Sequence, residues 1–317
     1  MSEVPSTLFT AAPHWRWLIV FYFFLGGIAG GAYLIAALID LFGRPWDRPL
    51  ARLGYLVALP LTVICGILLV VDLNRPLRFW HMLLASETLT PIFKLWSPMS
   101  VGAWALLAFG FFTLLSFLAA LAANDGWLRY PALTRLRPPG ILGTIVVVLG
   151  GLLGFFIAGY TGVLLAVTNR PIWADSQLLG VLFLFSSAST GAATLVLLAL
   201  WRGGAHSLSL EWLTRFDRQA LVLELVALIA FVVSLGSVAR VLVGWWGLVL
   251  LLGVVGVGIA APLALARRER VRPTSGLDPR VLGRVAALVL VGGLLLRMTV
   301  ILSSEQIPRA GTALGGL

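Results

Sequence analysis

Ligands for metals and haem are nearly absent from this chain, which has one cysteine, Cys65, and three histidines, His14, His81 and His206, in 317 residues. A lone thiol excludes an intrachain disulfide, and an iron–sulfur cluster takes about four thiolates. Cys65 lies inside an apolar run and reads as a small packing residue. The histidines all fall in loops or at interfaces, whereas a bis-histidine haem in a helix bundle needs imidazoles at membrane depth. No His or carboxylate pair has ligand spacing on one helix. Neither haem nor metal is expected in this chain.

Charge is scarce too. Only 11% of residues are charged, against 60% hydrophobic, and mean hydropathy is +1.00. That balance lies far outside the range of soluble domains and describes a polytopic protein of the lipid bilayer. A span needs about 20 mostly apolar residues. Runs near Trp17–Phe42, Leu53–Val71, Val101–Ala123, Ile141–Val167, Leu178–Trp201, Ala220–Val238, Val243–Ala266 and Val281–Leu302 meet that length. The expected fold is all-α, a single integral membrane domain over 1–317 with about eight transmembrane helices. It divides into two four-helix bundles, over about 15–170 and about 175–303. No soluble domain is expected; the largest loops cover about 72–100 and about 202–219.

The net charge of +10 does not point to nucleic acid, because the arginines cluster in short segments between apolar runs. Arg44, Arg48 and Arg52, then Arg129, Arg135 and Arg137, then Arg202, Arg215 and Arg218, then the group from Arg267 to Arg284 follow the odd-numbered spans. By the positive-inside rule these loops face the cytoplasm. Both termini are then expected outside, on the periplasmic side of a prokaryotic plasma membrane. No cleavable signal peptide is expected, since the first apolar run follows a polar stretch, outlasts an h-region and lacks a clear cleavage site.

What the sequence does repeat is Asn-Arg-Pro, as Asn74-Arg75-Pro76 and Asn169-Arg170-Pro171, each where an apolar run meets an aromatic-rich polar loop. Charge counting puts both on the outer face, after the second and fourth spans. Gly26-Gly27-Ile28-Ala29-Gly30-Gly31 in the first span and Gly150/Gly154 in the fourth have the spacing that lets helix backbones approach closely. The first and fourth helices are therefore expected to touch. The patch has no preceding strand, as a phosphate loop would require. Ser186 to Ala193 forms a second small-residue patch in the fifth span.

Polar groups at membrane depth are costly and face a bundle interior or cavity. Asp72, Tyr160, Thr161 and Asp175 lie near outer helix ends, Asp40 and Glu224 near inner ones, and Arg297 just short of the outer end of the last span. Glu224 is expected about one and a half turns into the sixth helix. One chemistry that fits is reversible protonation of a quinone, whose two carbonyl oxygens need donors such as Tyr or His and a carboxylate linked to water. Tyr22, Tyr160, Asp72 and His81 supply those types. Tyr22 and Tyr160 fit an aromatic interface belt equally well.

Phe24 to Gly31, Asp72-Leu73-Asn74-Arg75-Pro76-Leu77-Arg78-Phe79-Trp80, Ser97-Pro98-Met99-Ser100-Val101-Gly102-Ala103-Trp104, and Tyr160-Thr161-Gly162 through Asn169-Arg170-Pro171-Ile172-Trp173 resemble the polysulfide-reductase membrane-subunit family, also called NrfD-like. The resemblance spans about residues 15–200. It implies a quinone-reactive membrane subunit with menaquinone or ubiquinone as substrate and no haem or metal of its own. It also implies a ferredoxin-like iron–sulfur partner subunit, often joined to a molybdopterin-type catalytic subunit. Tyr160 matches the family's quinone-contacting tyrosine, and Ile19 and Tyr22 match polar positions of the first helix, although Ile19 has no side-chain hydrogen bond to offer. Asp72 matches a commonly acidic position with a role in proton exchange.

Tyr160 lies about two and a half turns before Asn169, roughly 13 Å below that interface by helix rise. The expected site is thus Tyr160, Asp72 and His81 for chemistry, with Tyr22, Tyr160, Gly30, Arg78 and Arg170 binding quinone. Gly30 serves chiefly helix packing, and Arg78 and Arg170 hold reduced quinone or the partner by charge. A membrane anchor, or a conformational proton-translocating module dependent on Glu224 and Asp40, is the alternative.

Overall fold

The computed structural model describes residues 17–73, 75–122, 133, 135–202, 207–270 and 278–304; His14, His206, Asn74, Arg129 and the expected outward termini fall outside them. Among the described residues eight long helical segments follow one another. They are α1 (Trp17–Phe42), α2 (Arg48–Asp72), α3 (Pro98–Leu121), α4 (Ile141–Ala166), α5 (Leu179–Arg202), α6 (Ser207–Ser234), a composite α7, and α8 (Pro279–Ser303). The α7 segment joins a helical turn Trp245–Leu248, a π-helical stretch Val249–Ala260 and an α-helical end Ala261–Arg270. Seven of these, all but α6, are long and apolar enough to cross a membrane.

Local chemistry sets the ends. Ser97 caps α3 by accepting from the Ser100 amide, and Asp278 caps α8 by accepting from the Arg280 amide, each with proline in the first turn. A proline there lacks only an N–H that would have had no helical partner. Proline also opens the 3₁₀ turns Pro45–Asp47 and Pro76–Met82 that flank α2.

The sixth span is where expectation and structure part. Instead of Ala220–Val238, α6 runs Ser207–Ser234, and the chain turns into a 3₁₀ helix at Gly236–Leu242. The segment 207–219 therefore belongs to a helix, not to the expected 202–219 loop. Its charges Glu211, Arg215, Asp217 and Arg218 hid the helix from a hydropathy reading. Glu224 accordingly sits near the middle of α6 rather than one and a half turns from its start.

At the centre, α1 packs against α2, α4, α5 and α8, while α5 also packs against α4, α6 and α8. The glycines of α1 make this crowding feasible. A Cβ on Gly30 would stand 2.6 Å from the Gly154 carbonyl oxygen of α4, and one on Gly31 would collide with the Ser187 carbonyl of α5. The expected contact of the first and fourth helices is thus present, with glycine on both sides letting backbone meet backbone.

Contacts at the helix ends define two faces. On one, Arg137 holds Asp40 and Ser209 hydrogen-bonds Asp47. On the other, Tyr160 reaches Pro98, Trp173 reaches Val300, and Ser234 donates to Ser176 at 2.6 Å. The first is called below the arginine-rich face, and the second, which carries Arg75-Pro76 and Arg170-Pro171, the rim face.

Candidate functional site

Four helices meet below the rim face around two tyrosines. Tyr160, 6% exposed on α4, donates its hydroxyl to the Pro98 carbonyl at 2.5 Å and stacks on Phe156 with ring centroids 5.2 Å apart. Pro98 opens α3, so this bond ties the start of α3 to α4. Gly102, one turn further along α3, is what admits the ring. Any Cβ there would overlap the Tyr160 hydroxyl.

Tyr22 is buried on α1, and its hydroxyl lies within electrostatic range of Tyr160 and of Cys65 on α2. The Cys65 thiol faces the Tyr22 carbonyl at 3.6 Å. Ile19, a turn before Tyr22, is buried as well and contributes only apolar surface. Asp72 follows Cys65 by seven residues, two turns on the same face of α2 and about 10.5 Å nearer the rim. It is partly buried, and among the described residues its carboxyl has no hydrogen bond or ion pair.

The rim is built from the two Arg-Pro segments. Arg75 and Arg78 are exposed in the first. His81 lies in the last turn of the same 3₁₀ helix, and its described contact is the Trp80 ring, with centroids 3.9 Å apart. In the second segment Arg170 is 7% exposed, its guanidinium 5.5 Å over the Trp173 ring. Trp173 is wholly buried and donates to the Val300 carbonyl at 2.7 Å, fastening this loop to α8. Between them Ile172 has φ +72°, a left-handed conformation that a β-branched residue adopts at a cost of about 1–3 kcal/mol. Burial of Trp173 and a 2.8 Å bond from the Ile172 amide to Asp175 hold it there.

Of the expected residues, Tyr22 and Tyr160 are brought together and Asp72 stands above them on α2. His81, Arg78 and Arg170 lie on the rim, with no described contact to either tyrosine. Gly30 has its open side against Gly154 and Ala158 of α4. Among the described residues no group of three or more His, Cys, Asp or Glu could hold a metal ion.

Arg297, singled out in the sequence as a polar group at membrane depth, forms a second polar centre whose partners sequence reasoning missed. Arg297 on α8 is wholly buried and donates to Phe23 O at 3.1 Å, Ser186 Oγ at 3.0 Å, Ser187 Oγ at 3.0 Å and Gly293 O at 2.9 Å. Gly27 makes room for it, since a Cβ there would stand 2.6 Å from the guanidinium. The signal was present in the serines 186, 187 and 189, read as small packing residues when they are also hydrogen-bond partners.

The chain matches the family model described as polysulphide reductase, NrfD, over residues 8–308. It is 32% identical to Protein NrfD of Escherichia coli over 92% of this chain and 95% of that protein. It is 29% identical to the C subunit of polysulfide reductase from Wolinella succinogenes over 92% of this chain and 94% of that protein. The family match runs through all the helices described above, including the last three, where the motif resemblance had reached only to about residue 200.

Proposed function

The chain belongs to the polysulphide reductase NrfD family of membrane subunits of redox complexes, and we propose that it is the subunit that binds quinone or quinol. In this reading it exchanges electrons between the menaquinone or ubiquinone pool and an extrinsic ferredoxin-like iron–sulfur subunit docked on the rim face. That partner passes them to or from a molybdopterin-type catalytic subunit. The rim face is then the periplasmic side of a prokaryotic plasma membrane, as the arginines on the opposite face favour.

The observation that carries the reading is the Tyr160 hydroxyl, buried under the rim among Tyr22, Cys65 and the start of α3. Its proton is committed to Pro98 O, so its oxygen offers lone pairs, which suit the O–H of a quinol. Tyr22 serves the second ring oxygen, directly or through a water. Quinone and quinol differ by two electrons and two protons, so the site must also exchange protons with water. Asp72, partly exposed above the tyrosines, and His81 on the rim are the groups for that task. Arg78 and Arg170 hold the extrinsic partner or the reduced ring by charge, and Gly30 keeps α1 and α4 close enough to enclose the head group.

Tyr160→Phe tests the proposal, because it keeps the stack on Phe156 and removes only the hydroxyl. Quinol-dependent turnover of membranes containing the assembled complex should fall by about tenfold, the loss expected when one hydrogen bond to the quinol is removed. Chain abundance should stay at the parent level. Unchanged turnover would remove Tyr160 from the mechanism.

A further inference from the structure

The half of the molecule built from α5 to α8 has a gap near the arginine-rich face that the quinone reading does not use. Helix α6 packs on α5 and meets α7 along its π-helical stretch, whereas the α-helical end of α7, Ala261–Arg270, packs on α8. Between them lies a cleft of about 520 Å³, lined from α5, α6, α7 and α8. Thr214, Asp217, Arg218 and Leu221 form its α6 wall, one helix face about 10.5 Å long by helix rise. The α7 and α8 walls are apolar, with Pro262, Ala266 and Val285 among them.

Positive charge gathers at the mouth. Arg218 lines the cleft, and Arg267, Arg280 and Arg284 are exposed neighbours of the lining residues Ala266, Val281 and Val285. Among the described residues no carboxylate forms an ion pair with any of these four arginines. The nearby acids are engaged elsewhere. Asp217 accepts from Ser189 of α5 at 2.8 Å, Asp278 accepts from the Arg280 amide at 2.9 Å, and Glu211 pairs with Arg215. The Thr214 hydroxyl donates to Glu211 O at 2.9 Å, which leaves Arg218 as the cationic donor of the lining.

Apolar walls keep water out, and within a bilayer the material at hand to fill such a gap is an acyl chain. A basic pocket between membrane helices at one interface in turn selects an anionic head group. We propose that the cleft binds one anionic glycerophospholipid. Its phosphate is held by Arg218, with Arg267, Arg280 and Arg284 around it, and an acyl chain lies against Pro262, Ala266 and Val285. A guanidinium suits the task, since its planar fork gives two parallel hydrogen bonds to one phosphate. The lipid fills the space between α6 and the α7 and α8 pair and joins them near this face. The site stands without the quinone reading and uses none of its residues.

The test uses the full chain, purified in detergent and stripped of lipid, with native mass spectrometry counting bound lipids during titration. One phosphatidylglycerol should bind at concentrations where phosphatidylcholine of the same chains does not. Arg218→Gln should weaken that binding by about fivefold, the share of one arginine beside an anionic lipid. Arg48→Gln, which changes an exposed arginine of the same face outside the cleft, should leave it unaltered. Ala266→Trp puts an indole into the cleft with every arginine in place and should abolish the tight binding. Equal binding of the two lipids by the parent overturns the proposal without recourse to any variant. So does an affinity untouched by Arg218→Gln, or retention of the lipid by Ala266→Trp. Displacement by glycerol phosphate as effective as that by phosphatidylglycerol overturns it too, because the site would then take a free anion. No readout involves quinone, so loss of the Tyr160 proposal and loss of this one are separate results.

Discussion

Replacing Arg297 by methionine removes the guanidinium while keeping much of the side-chain bulk. The parent guanidinium is 0% exposed and makes four hydrogen bonds of 2.9–3.1 Å, to α1, to α5 and to its own helix. Hydrogen bonds to charged groups contribute about 1.5–3 kcal/mol each, but drawing the cation out of water offsets much of that gain, so the four do not add. What decides the loss is what stays behind. Phe23 O, Ser186 and Ser187 lose their donor, and Glu224 loses the positive charge that faces it. Removing one partner from a buried charged arrangement costs about 3–5 kcal/mol. With about 2–4 °C per kcal/mol for a chain approaching this size, the thermal midpoint should fall by roughly 10 °C. Tryptophan fluorescence of the full-length protein in detergent, read against temperature, measures it. Adding Glu224→Gln removes the stranded carboxylate, so the double variant should be more stable than the sum of the single effects by about 1–3 kcal/mol. A midpoint within about 2 °C of the parent for Arg297→Met, or strict additivity of the pair, would refute the argument that these groups act as one buried unit.

Gly102→Ala puts a methyl where the Tyr160 hydroxyl lies, so Tyr160 must leave Pro98 O; quinol-dependent turnover should drop with Tyr160 itself unchanged, and overpacking should cost about 1–3 kcal/mol in thermal unfolding. Gly30→Val forces α1 from α4 and should lower the midpoint strongly, whereas Gly66→Val, with nothing within 4 Å of the new Cβ, should stay within about 0.5 kcal/mol of the parent. Asp40→Asn breaks the two-pronged bond to Arg137, Nη2–Oδ1 at 2.8 Å and Nε–Oδ2 at 3.2 Å. Its expected cost is about 2 kcal/mol, readable in the same melts with turnover per folded molecule retained.

The sequence by itself determined the class, most of the helices and the family. Span length is a one-dimensional property, because bilayer thickness fixes how many apolar residues a helix needs, and α1 and α4 begin and end within a residue of the runs read from hydropathy. The glycine spacing likewise foretold the α1 and α4 contact, since small residues at i and i+4 share a helix face. Only the tertiary structure decided where the polar groups meet. Charged residues hid the first half of α6 from a hydropathy reading, so Asp217 passed for a loop residue, although Ser189 of the preceding helix encloses it. Arg297 gave no local sign of its partners on α1 and α5, which lie 274 and 111 residues away for Phe23 and Ser186. The Tyr160 bond to Pro98 crosses 62 residues in the same way. Hydrophobicity is additive along a sequence and legible in it; a hydrogen bond between two helices depends on how they turn and pack, and no single segment contains that.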